Sequence, residues 1–381
     1  MNDVIARYLD AATRAAVAAP TKTAASLPPG LYTDPAVFEA ENQRLFARTW
    51  MCAGYAHEVP NPGDALPSTV AGLPVVFVRG RDGVVRCFHN VCPHRGNKVV
   101  TRPLKGAPTL VCRYHGWGFD HQGALKLTPH WGGYGKPNDA GFDRACHGLT
   151  PVRMVHWHDW LFVNLSGDAP SFETFMAPFA RHLEAHDLSR LRHESAATFN
   201  IGANWKLVEE NFLEVLHLPT VHRGLNAVAP FQEHELVLED ACLGTIIRTG
   251  LPESWADPAL PRFPGVAADN RTAFNLALFP TFKLVVGPDH CASMIEFPVD
   301  ASHTHQRWDF YFVGDEALHD RYGPTRRAII DFFSEVNSED IGILEDMQAT
   351  RASPVAANTV FSATWEPVVH GFQKLVARSL A

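Results

Sequence analysis

The segment that decides the architecture runs from residue 204 to residue 222 and reads NWKLVEENFLEVLHLPTVH. Its apolar residues recur at helical spacing, so we predict a helix over residues 204–218 that Pro219 terminates. In an unbroken helix, five residues would place the imidazoles of His217 and His222 roughly 140° apart. Because proline also disfavours helix at the residue before it, the chain should turn and bring His222 back toward His217. We therefore predict that these two histidines bind one metal ion.

Glu214 lies three residues before His217 and is expected on the same face of the predicted helix. A carboxylate in that position can hold the outward nitrogen of a metal-binding histidine, as carboxylates beside metal sites commonly do. A pair of histidines at this spacing is only moderately specific, however. The segment alone is equally compatible with a helix end that carries two polar histidines on the surface.

The composition bounds the class of protein. With 381 residues the chain is long enough for two domains, and 33 basic against 41 acidic residues give a net charge of −8. That charge argues against a partner bound through nucleic-acid phosphates. Seven widely spaced cysteines favour reduced thiols or metal ligands in a cytoplasmic protein over a disulfide framework. No signal peptide or stretch of 18 apolar residues is apparent, so we expect a cytoplasmic protein that no membrane holds.

The pattern of apolar residues changes twice along the chain. We predict an N-terminal helical arm over residues 1–50 that packs on the domain over residues 167–381, with helices over 3–19 and 35–50. Short β-like runs separated by Asp-Gly, Gly-Asp and Pro-Gly indicate an all-β domain over 51–166. Residues 167–381 then mix strands at 195–200 and 235–313 with helices at 171–187, 204–218 and 324–350. The predicted fold class is α+β.

Two loops of the β domain each carry one cysteine and one histidine. The first reads Cys92-Pro-His94 and the second, after 17 residues, reads Cys112-Arg-Tyr-His115. Two cysteines on one iron and two histidines on the other are the ligands of a mixed-ligand [2Fe–2S] cluster. Glycines follow both pairs and allow the backbone to turn tightly beside the ligands. These four residues are therefore predicted to hold such a cluster.

Other sites use the same residue types. A zinc site would accept the same four ligands, but structural zinc sites usually pair cysteines in one loop and histidines in the other. A plant-type ferredoxin would need Cys-x4-Cys-x2-Cys, and Cys87-x4-Cys92 begins that pattern, but position 95 is arginine. The remaining alternative is a set of buried cysteines and histidines without a metal.

The two motifs in this order, with Asn204-Trp205-Lys206 ahead of the second, closely resemble the catalytic α-subunit of the Rieske non-haem iron oxygenases. The resemblance extends from about residue 32 to residue 348. It implies an all-β Rieske domain, a catalytic domain with an antiparallel sheet surrounded by helices, and head-to-tail homotrimers. It also implies a mononuclear Fe(II) held by His217, His222 and Asp340.

For the third iron ligand, Glu339 and Asp346 are weaker candidates than Asp340, and the alternative is a solvated acidic helix face. The resemblance gives Glu214 the place of a carboxylate that links a neighbouring subunit's cluster to this iron and so carries electrons between the two sites. Many ring-dihydroxylating relatives have aspartate there and some quaternary-amine monooxygenases have glutamate. The glutamate in this chain therefore favours monooxygenation, by hydroxylation or oxidative N-demethylation.

Electrons must come from outside the chain. No Gly-x-Gly-x-x-Gly motif or other nicotinamide or flavin site is apparent, so NAD(P)H should act through a separate reductase, which could include a ferredoxin domain. The cluster would store electrons singly and pass them to the iron, where O2 is the co-substrate. Two functions without catalysis also compete: a Rieske electron carrier, which leaves residues 167–381 without a role, and a zinc-binding interaction module.

The substrate is least determined by the sequence. Residues 271–313 are rich in aromatic side chains that could line a pocket, although such residues in strands more often form ordinary core. They are Phe274, Phe279, Phe282, Phe297, Trp308, Phe310, Tyr311 and Phe312. A pocket of this kind would suit a quaternary amine, held by cation–π attraction, which is the substrate that the resemblance to choline, betaine and carnitine-type monooxygenases favours. The alternative is an arene or aromatic acid, as in ring-hydroxylating dioxygenases.

Overall fold

The computed structural model describes residues 4–137, 141–248 and 255–381. The chain forms two compact units: Phe46–Pro170 is one, and Met1–Leu45 together with Ser171–Ala381 is the other. The domain boundaries predicted from the sequence, 50/51 and 166/167, differ from this division by five and four residues. Among the described residues, no helix is both long and apolar enough to cross a bilayer.

The unit Phe46–Pro170 is built from antiparallel strands. Its strands are β1 Met51–Tyr55, β2 Ala65–Val70, β3 Leu73–Arg79, β4 Val85–His89, β5 Leu110–Val111, β6 Gly118–Phe119, β7 Leu125–Leu127, β8 Pro151–Trp157 and β9 Trp160–Asn164. Six of them form a sheet in the order β1-β9-β8-β4-β3-β2, and β5-β6-β7 form a second sheet. The loops that carry the predicted cluster ligands precede and follow β5, and Cys92 and Cys112 lie in the unit's apolar core beside Trp117.

The other unit has a seven-stranded antiparallel sheet in the order β10-β16-β15-β14-β13-β12-β11. These strands are β10 Leu191–Ile201, β11 His234–Glu239, β12 Cys242–Ile247, β13 Ala273–Leu278, β14 Phe282–Val286, β15 His290–Asp300 and β16 His303–Val313. The helices are α1 Val4–Tyr8, α2 Ala11–Ala18, α3 Gly30–Thr33, α4 Pro35–Glu41, α5 Phe172–His182, α6 Trp205–Phe212, α7 Arg223–Val228, α8 Gly323–Thr350 and α9 Pro367–Ser379. A π-helical turn, Asn42–Phe46, follows α4, and short 3-10 turns join several elements.

The predicted α+β class is confirmed, and most predicted helices are present with shorter bounds. The helix predicted over 35–50 is α4 followed by the π-helical turn, and the helix predicted over 324–350 is α8. Helix α9 was not predicted. Gln373 of α9 donates from Nε2 to Glu210 of α6 at 3.1 Å, which ties the end of the chain to the segment that carries the site.

The helix predicted over residues 204–218 is wrong at its C-terminal end, because α6 stops at Phe212. The carboxylate of Glu214 accepts the amide protons of Leu216 at 2.5 Å and His217 at 3.3 Å. A continued helix would give those amides to the carbonyls four residues back, so the side chain replaces the helical bonds. Glu214 and His217 consequently meet in a turn rather than on a helix face.

The Asn-Trp-Lys motif anchors the start of α6. Asn204 caps the helix by accepting the amide of Lys206 at 3.0 Å, and its Nδ2 donates to the carbonyl of Ala301 at 2.8 Å. Glu41 of α4 accepts from the indole of Trp205 at 3.0 Å and from the ammonium of Lys206 at 2.5 Å. Both charged residues of this pair are fully buried. The motif therefore fixes where α6 begins, and so where the turn after it lies.

Candidate functional site

Three predicted ligands converge in the unit that holds the seven-stranded sheet. One ligand atom from each of His217, His222 and Asp340 lies within 4.8 Å of those of the other two. Oδ1 of Asp340 is 2.9 Å from Nε2 of His222 and 3.7 Å from Nε2 of His217. The two imidazole rings are 4.9 Å apart and steeply inclined to each other. Two nitrogens and one carboxylate oxygen thus face a common point, as in a facial triad with open positions for other ligands.

The turn after α6 brings the histidines together. The carbonyl of His217 accepts the amide of Val221 at 2.8 Å, and the carbonyl of Leu218 accepts that of His222 at 3.0 Å. These bonds fold the chain over Pro219, as the sequence predicts. On α8, Asp340 is buried, and Nδ2 of Asn211 donates to its Oδ1 at 3.2 Å. Asn211 was not identified from the sequence, because an asparagine in a helix has no distinctive spacing.

Each histidine has its other nitrogen held by a carboxylate. Nδ1 of His217 lies 2.5 Å from Oε1 of Glu214, and Nδ1 of His222 lies 2.6 Å from Oε2 of Glu339. Burial lowers the pKa of His222, but the bonds and charges of Asp340 and Glu339 outweigh it, and the net pKa is raised. Such pairs fix the tautomer so that both Nε2 atoms face the carboxylate, which fits a bound divalent iron.

Of the two weaker candidates for the third ligand, neither reaches this point. Glu339 contacts the outward nitrogen of His222, and Asp346 is exposed near the end of α8. The placement of Asp340 follows from helix geometry, since a residue's immediate neighbour points about 100° away around a helix. The sequence alone could not distinguish these acids because all three lie on one helix.

The two loops that carry the predicted cluster ligands have the same backbone conformation. In the first, the carbonyl of Cys92 accepts the amide of Gly96, and in the second that of Cys112 accepts the amide of Gly116, both at 2.9 Å. Both glycines have φ of +72°, a conformation that other residues rarely adopt. Each thiol also faces the amides of the residues two and three positions after it. The two loops therefore present a pair of sulfur ligands surrounded by hydrogen-bond donors.

The histidines of these loops lie against each other, with His94 and His115 ring centroids 4.4 Å apart. His94 stacks on Trp117 at 4.8 Å, and its Nδ1 is buried with no hydrogen-bond partner among the described residues. Nδ2 of Asn97 points at the sulfur of Cys112 from 3.7 Å. A buried imidazole nitrogen without a partner, beside two amide-solvated thiols, fits the two-cysteine, two-histidine ligand set of a [2Fe–2S] cluster.

A cavity of about 120 Å³ adjoins the triad of His217, His222 and Asp340, between the sheet and helices α6 and α8. Of the eight aromatic residues proposed from residues 271–313, Trp308 lines it and the other seven do not. Its other aromatic walls are Phe212, Trp255, Phe332 and Phe333. Five of the other seven are buried, so the expectation that strand aromatics mostly form core is confirmed for Phe279, Phe282, Phe310, Tyr311 and Phe312, whereas Phe274 and Phe297 are half-buried. Phe332 and Phe333, two turns before Asp340 on α8, were the residues from which the sequence could have indicated an aromatic wall near the iron ligand.

A buried charge cluster forms the floor of the same cavity. Nζ of Lys283, which lines the cavity, is 3.1 Å from Glu209 and 2.5 Å from Glu296, and all three side chains are almost fully buried. Gln306 donates to Glu296 at 3.0 Å and accepts from the indole of Trp308 at 2.7 Å. Burial raises the pKa of Glu209 well above its usual value. The lysine is therefore offset by its carboxyl partners and leaves no excess positive charge beside the triad.

Comparison with known proteins gives two family matches. Residues 188–381 match the ring hydroxylating alpha subunit (catalytic domain) family, and residues 49–135 match the Rieske [2Fe-2S] domain family. The carnitine monooxygenase oxygenase subunit of Escherichia coli strain K12 is 29% identical over 328 residues, which cover 85% of this chain and 83% of that protein. The glycine betaine monooxygenase oxygenase subunit of Chromohalobacter salexigens is 34% identical over 200 residues, covering 52% of this chain and 44% of the relative.

Among solved structures, that of a quaternary ammonium Rieske monooxygenase superposes with a TM-score of 0.81 at 25% identity, over 97% of this chain and 98% of that one. The family matches supply the two cofactors that the ligand sets fit, a [2Fe–2S] cluster and a mononuclear iron, and with them a need for electrons from a reductase and for O2. The chain belongs to the ring-hydroxylating alpha-subunit family and is the terminal oxygenase component of a Rieske-type oxygenase system.

Proposed function

We propose that this oxygenase monooxygenates a small quaternary amine, by hydroxylation or by oxidative N-demethylation. In this proposal His217, His222 and Asp340 bind the mononuclear iron, Cys92, His94, Cys112 and His115 bind the cluster, and Glu214 links the two sites for electron transfer. The relatives named as carnitine and glycine betaine monooxygenases support the substrate class. The reaction is R–H + O2 + 2e⁻ + 2H⁺ → R–OH + H2O.

The observation that carries the proposal is the cavity wall beside the triad. Phe212, Trp308 and Phe333 belong to one apolar cluster there and present aromatic rings to the cavity. Aromatic faces attract a desolvated ammonium through their quadrupole, by about 2 kcal/mol or more for each well-placed ring in a dry site. The one lysine of the described lining is offset by its glutamate partners, so that side chain does not repel an ammonium.

The protein groups around the iron prepare its coordination. Glu214 and Glu339 hold the Nδ1 atoms of the histidines, so both Nε2 lone pairs are available to the metal. Asn211 orients the carboxylate of Asp340 through its 3.2 Å bond. When bound, the iron would supply the activation of O2, with electrons stored singly by the cluster. The apolar wall excludes bulk water from the reacting C–H bond.

The electron path is proposed to run between subunits of a homotrimer. The side chain of Glu214 is about one fifth exposed, so part of it reaches the surface of this unit. A second depression borders Glu214 and His217 and has exposed apolar residues, including Ile343 and Val360, at its rim. A cluster loop of a neighbouring copy would dock there. Inter-subunit electron transfer is reported for the quaternary ammonium Rieske monooxygenase of similar fold.

The deciding experiment measures substrate-dependent O2 consumption with NAD(P)H and a generic reductase, with or without a ferredoxin. One panel contains quaternary amines and the other contains arenes and aromatic acids. We expect consumption coupled to a hydroxylated or demethylated product in the first panel. A dihydroxylated product from the second panel instead would identify an arene dioxygenase, which the aromatic cavity would also admit.

A further inference from the structure

We propose that His290, held by Asp289, binds the anionic end of the substrate at the end of the cavity remote from the iron ligands. This inference rests on the proposed function and adds an orientation for the substrate. The ammonium lies beside the triad, and a carboxylate lies against His290. Neither residue belongs to the iron site or to the cluster.

His290 and Asp289 form a buried pair at a strand turn. The imidazole Nδ1 is 2.6 Å from Oδ1 of Asp289, and the two side chains are 3% and 8% exposed. Asp289 lies in the turn between β14 and β15, which the amide of Gly287 closes by donating to the carbonyl of His290 at 3.0 Å. The carboxylate of Asp289 accepts from Nδ1 and so fixes the orientation of the ring.

Neighbouring residues hold the ring of His290 in one position in the cavity wall. A Cβ on Gly287 would come within 2.5 Å of its Cε1, so only glycine lets the imidazole lie across the strand. Trp255 and Phe333 flank the ring with centroids 6.1 and 5.7 Å away. With Nδ1 donating to Asp289, the ring donates from Nε2 to a carboxylate in the cavity that His290 lines when both nitrogens are protonated, so that one carboxylate faces each nitrogen.

The distance from the pair of His290 and Asp289 to the triad is one that a small substrate could span. Phe333, which contacts His290, precedes Asp340 by seven residues on α8, and at 1.5 Å per residue the two are about 10 Å apart along the helix. A small molecule with a cationic group beside the triad and a carboxylate a few bonds away would span that length. Along β15, His290 and Met294 lie on the same face, and Met294 pairs with Trp308 beside the other end.

No other basic group of the described lining suits a carboxylate. The lining contains no arginine among the described residues, and Lys283 is neutralised by Glu209 and Glu296. His234 has Nδ1 3.1 Å from the hydroxyl of Thr245 and Nε2 3.3 Å from the carbonyl of Ala229. Burial also lowers the pKa of His234, which disfavours its charged form. His290 is thus the basic side chain best placed to donate to an anion.

The test compares matched ligands that differ only in the carboxylate. Binding of 4-(trimethylammonio)butyrate and of butyltrimethylammonium to the oxidised holoenzyme is measured by calorimetry, without reductant. In His290→Phe we expect binding of the carboxylate to weaken about 10- to 100-fold, the cost of a lost charge-assisted hydrogen bond, while binding of the plain cation changes less than about threefold. Asp289→Asn, a milder change, should show the same selectivity with a smaller loss.

His234→Phe is the matched control, because it makes the same substitution in the same cavity at a ring that bonds internally; it should affect both ligands alike. Unchanged cluster absorption and iron content confirm that each variant is folded. Equal losses for the two ligands in both His290→Phe and Asp289→Asn would overturn the proposal, as would wild-type enzyme that prefers the plain cation.

The same binding experiment distinguishes a failure of the anion-binding role of His290 from a failure of the proposed function. If wild-type enzyme binds neither amine but binds benzoate more tightly than benzene, the quaternary-amine function is wrong. The role of His290 is then decided by the effect of His290→Phe on that second pair. If none of the four ligands binds, the anion-binding role is overturned as well.

Discussion

At the scale of single residues, the candidate iron site depends on carboxylates that do not face the metal. Glu339 holds the outward nitrogen of His222 and Glu214 that of His217. Such bonds orient the imidazole and raise its basicity toward a metal. The sequence predicts this role for Glu214 and leaves Glu339 as a possible ligand, because adjacency on a helix does not reveal which acid points inward.

The role of Glu339 can be measured. In Glu339→Gln the amide cannot stabilise the Nδ1 proton of His222 as a carboxylate does, and we expect iron affinity to fall about 10- to 100-fold with the cluster spectrum unchanged. Iron is titrated into metal-depleted enzyme and bound iron is measured after dialysis. Glu335→Gln, at an exposed position one turn earlier on α8, is the control and should bind iron normally.

Removal of a ligand should have a larger effect than removal of its support. Alanine in place of Asp340, His217 or His222 is expected to abolish retention of mononuclear iron and substrate-dependent O2 consumption while the visible spectrum of the cluster stays intact. Metal analysis and absorption spectroscopy on the same samples report both centres. Loss of the cluster spectrum in these variants would mean that the sites are misassigned.

Glu214 is expected to affect electron transfer more than metal binding. In Glu214→Gln the side chain keeps its volume but loses its charge, so both metals should remain while substrate-stimulated reoxidation of the reduced cluster slows at least about tenfold, because the charged hydrogen-bonded link is gone. Stopped-flow absorption follows the cluster directly. Reoxidation at the wild-type rate would remove Glu214 from the electron path.

At the scale of elements, the turn after α6 and helix α8 carry the candidate site, and buried polar residues set the positions of both helices. Burial lowers the pKa of Lys206, and its partner Glu41 acts in the opposite direction by favouring the charged form. On α8, Asn337 and Asp340 are buried between the apolar Ile329 and Leu344. An acid that is buried on the core-facing side of a helix indicates a functional site. The sequence reveals such an acid only when the orientation of the helix is known.

The Glu41–Lys206 pair supplies an element-scale prediction. Lys206→Met leaves the carboxylate of Glu41 buried with only the indole of Trp205 to solvate it, so we expect a loss of roughly 3–5 kcal/mol in unfolding free energy. Denaturant unfolding followed by tryptophan fluorescence measures the free energy of unfolding. The double variant Glu41→Leu, Lys206→Met should recover most of the stability, since it removes both charges. A double variant no more stable than the single one would contradict this account.

At the scale of the whole molecule, the two units each have their own core and their own candidate metal site. If electrons cross between subunits of a ring, a subunit without a cluster and a subunit without iron can form one working pair. Cys92→Ser should lack the cluster, and His217→Ala should lack the iron; each alone should be inactive.

Co-expression of these two variants should therefore restore activity. With random assembly, one in four head-to-tail contacts joins an intact cluster to an intact iron site, so we expect about a quarter of the wild-type rate per trimer. Substrate-dependent O2 consumption by the purified mixture is the measurement, and size-exclusion chromatography with light scattering reports the oligomer. An inactive mixture of folded trimers would indicate transfer within one subunit.

The sequence by itself determined the α+β class, the family, the paired Cys/His loops and the two histidines around Pro219, because each of these is local: ligand spacing, turn residues and periodicity act within about twenty residues. Only the tertiary structure decided where α6 ends, that Glu339, 117 positions further along the chain, supports His222, that the cavity walls come from Trp255, Phe332 and Phe333, and that His290 faces the same cavity. Those relations join strands and helices remote in sequence. They depend on packing distances, which no pattern of residue types along the chain specifies.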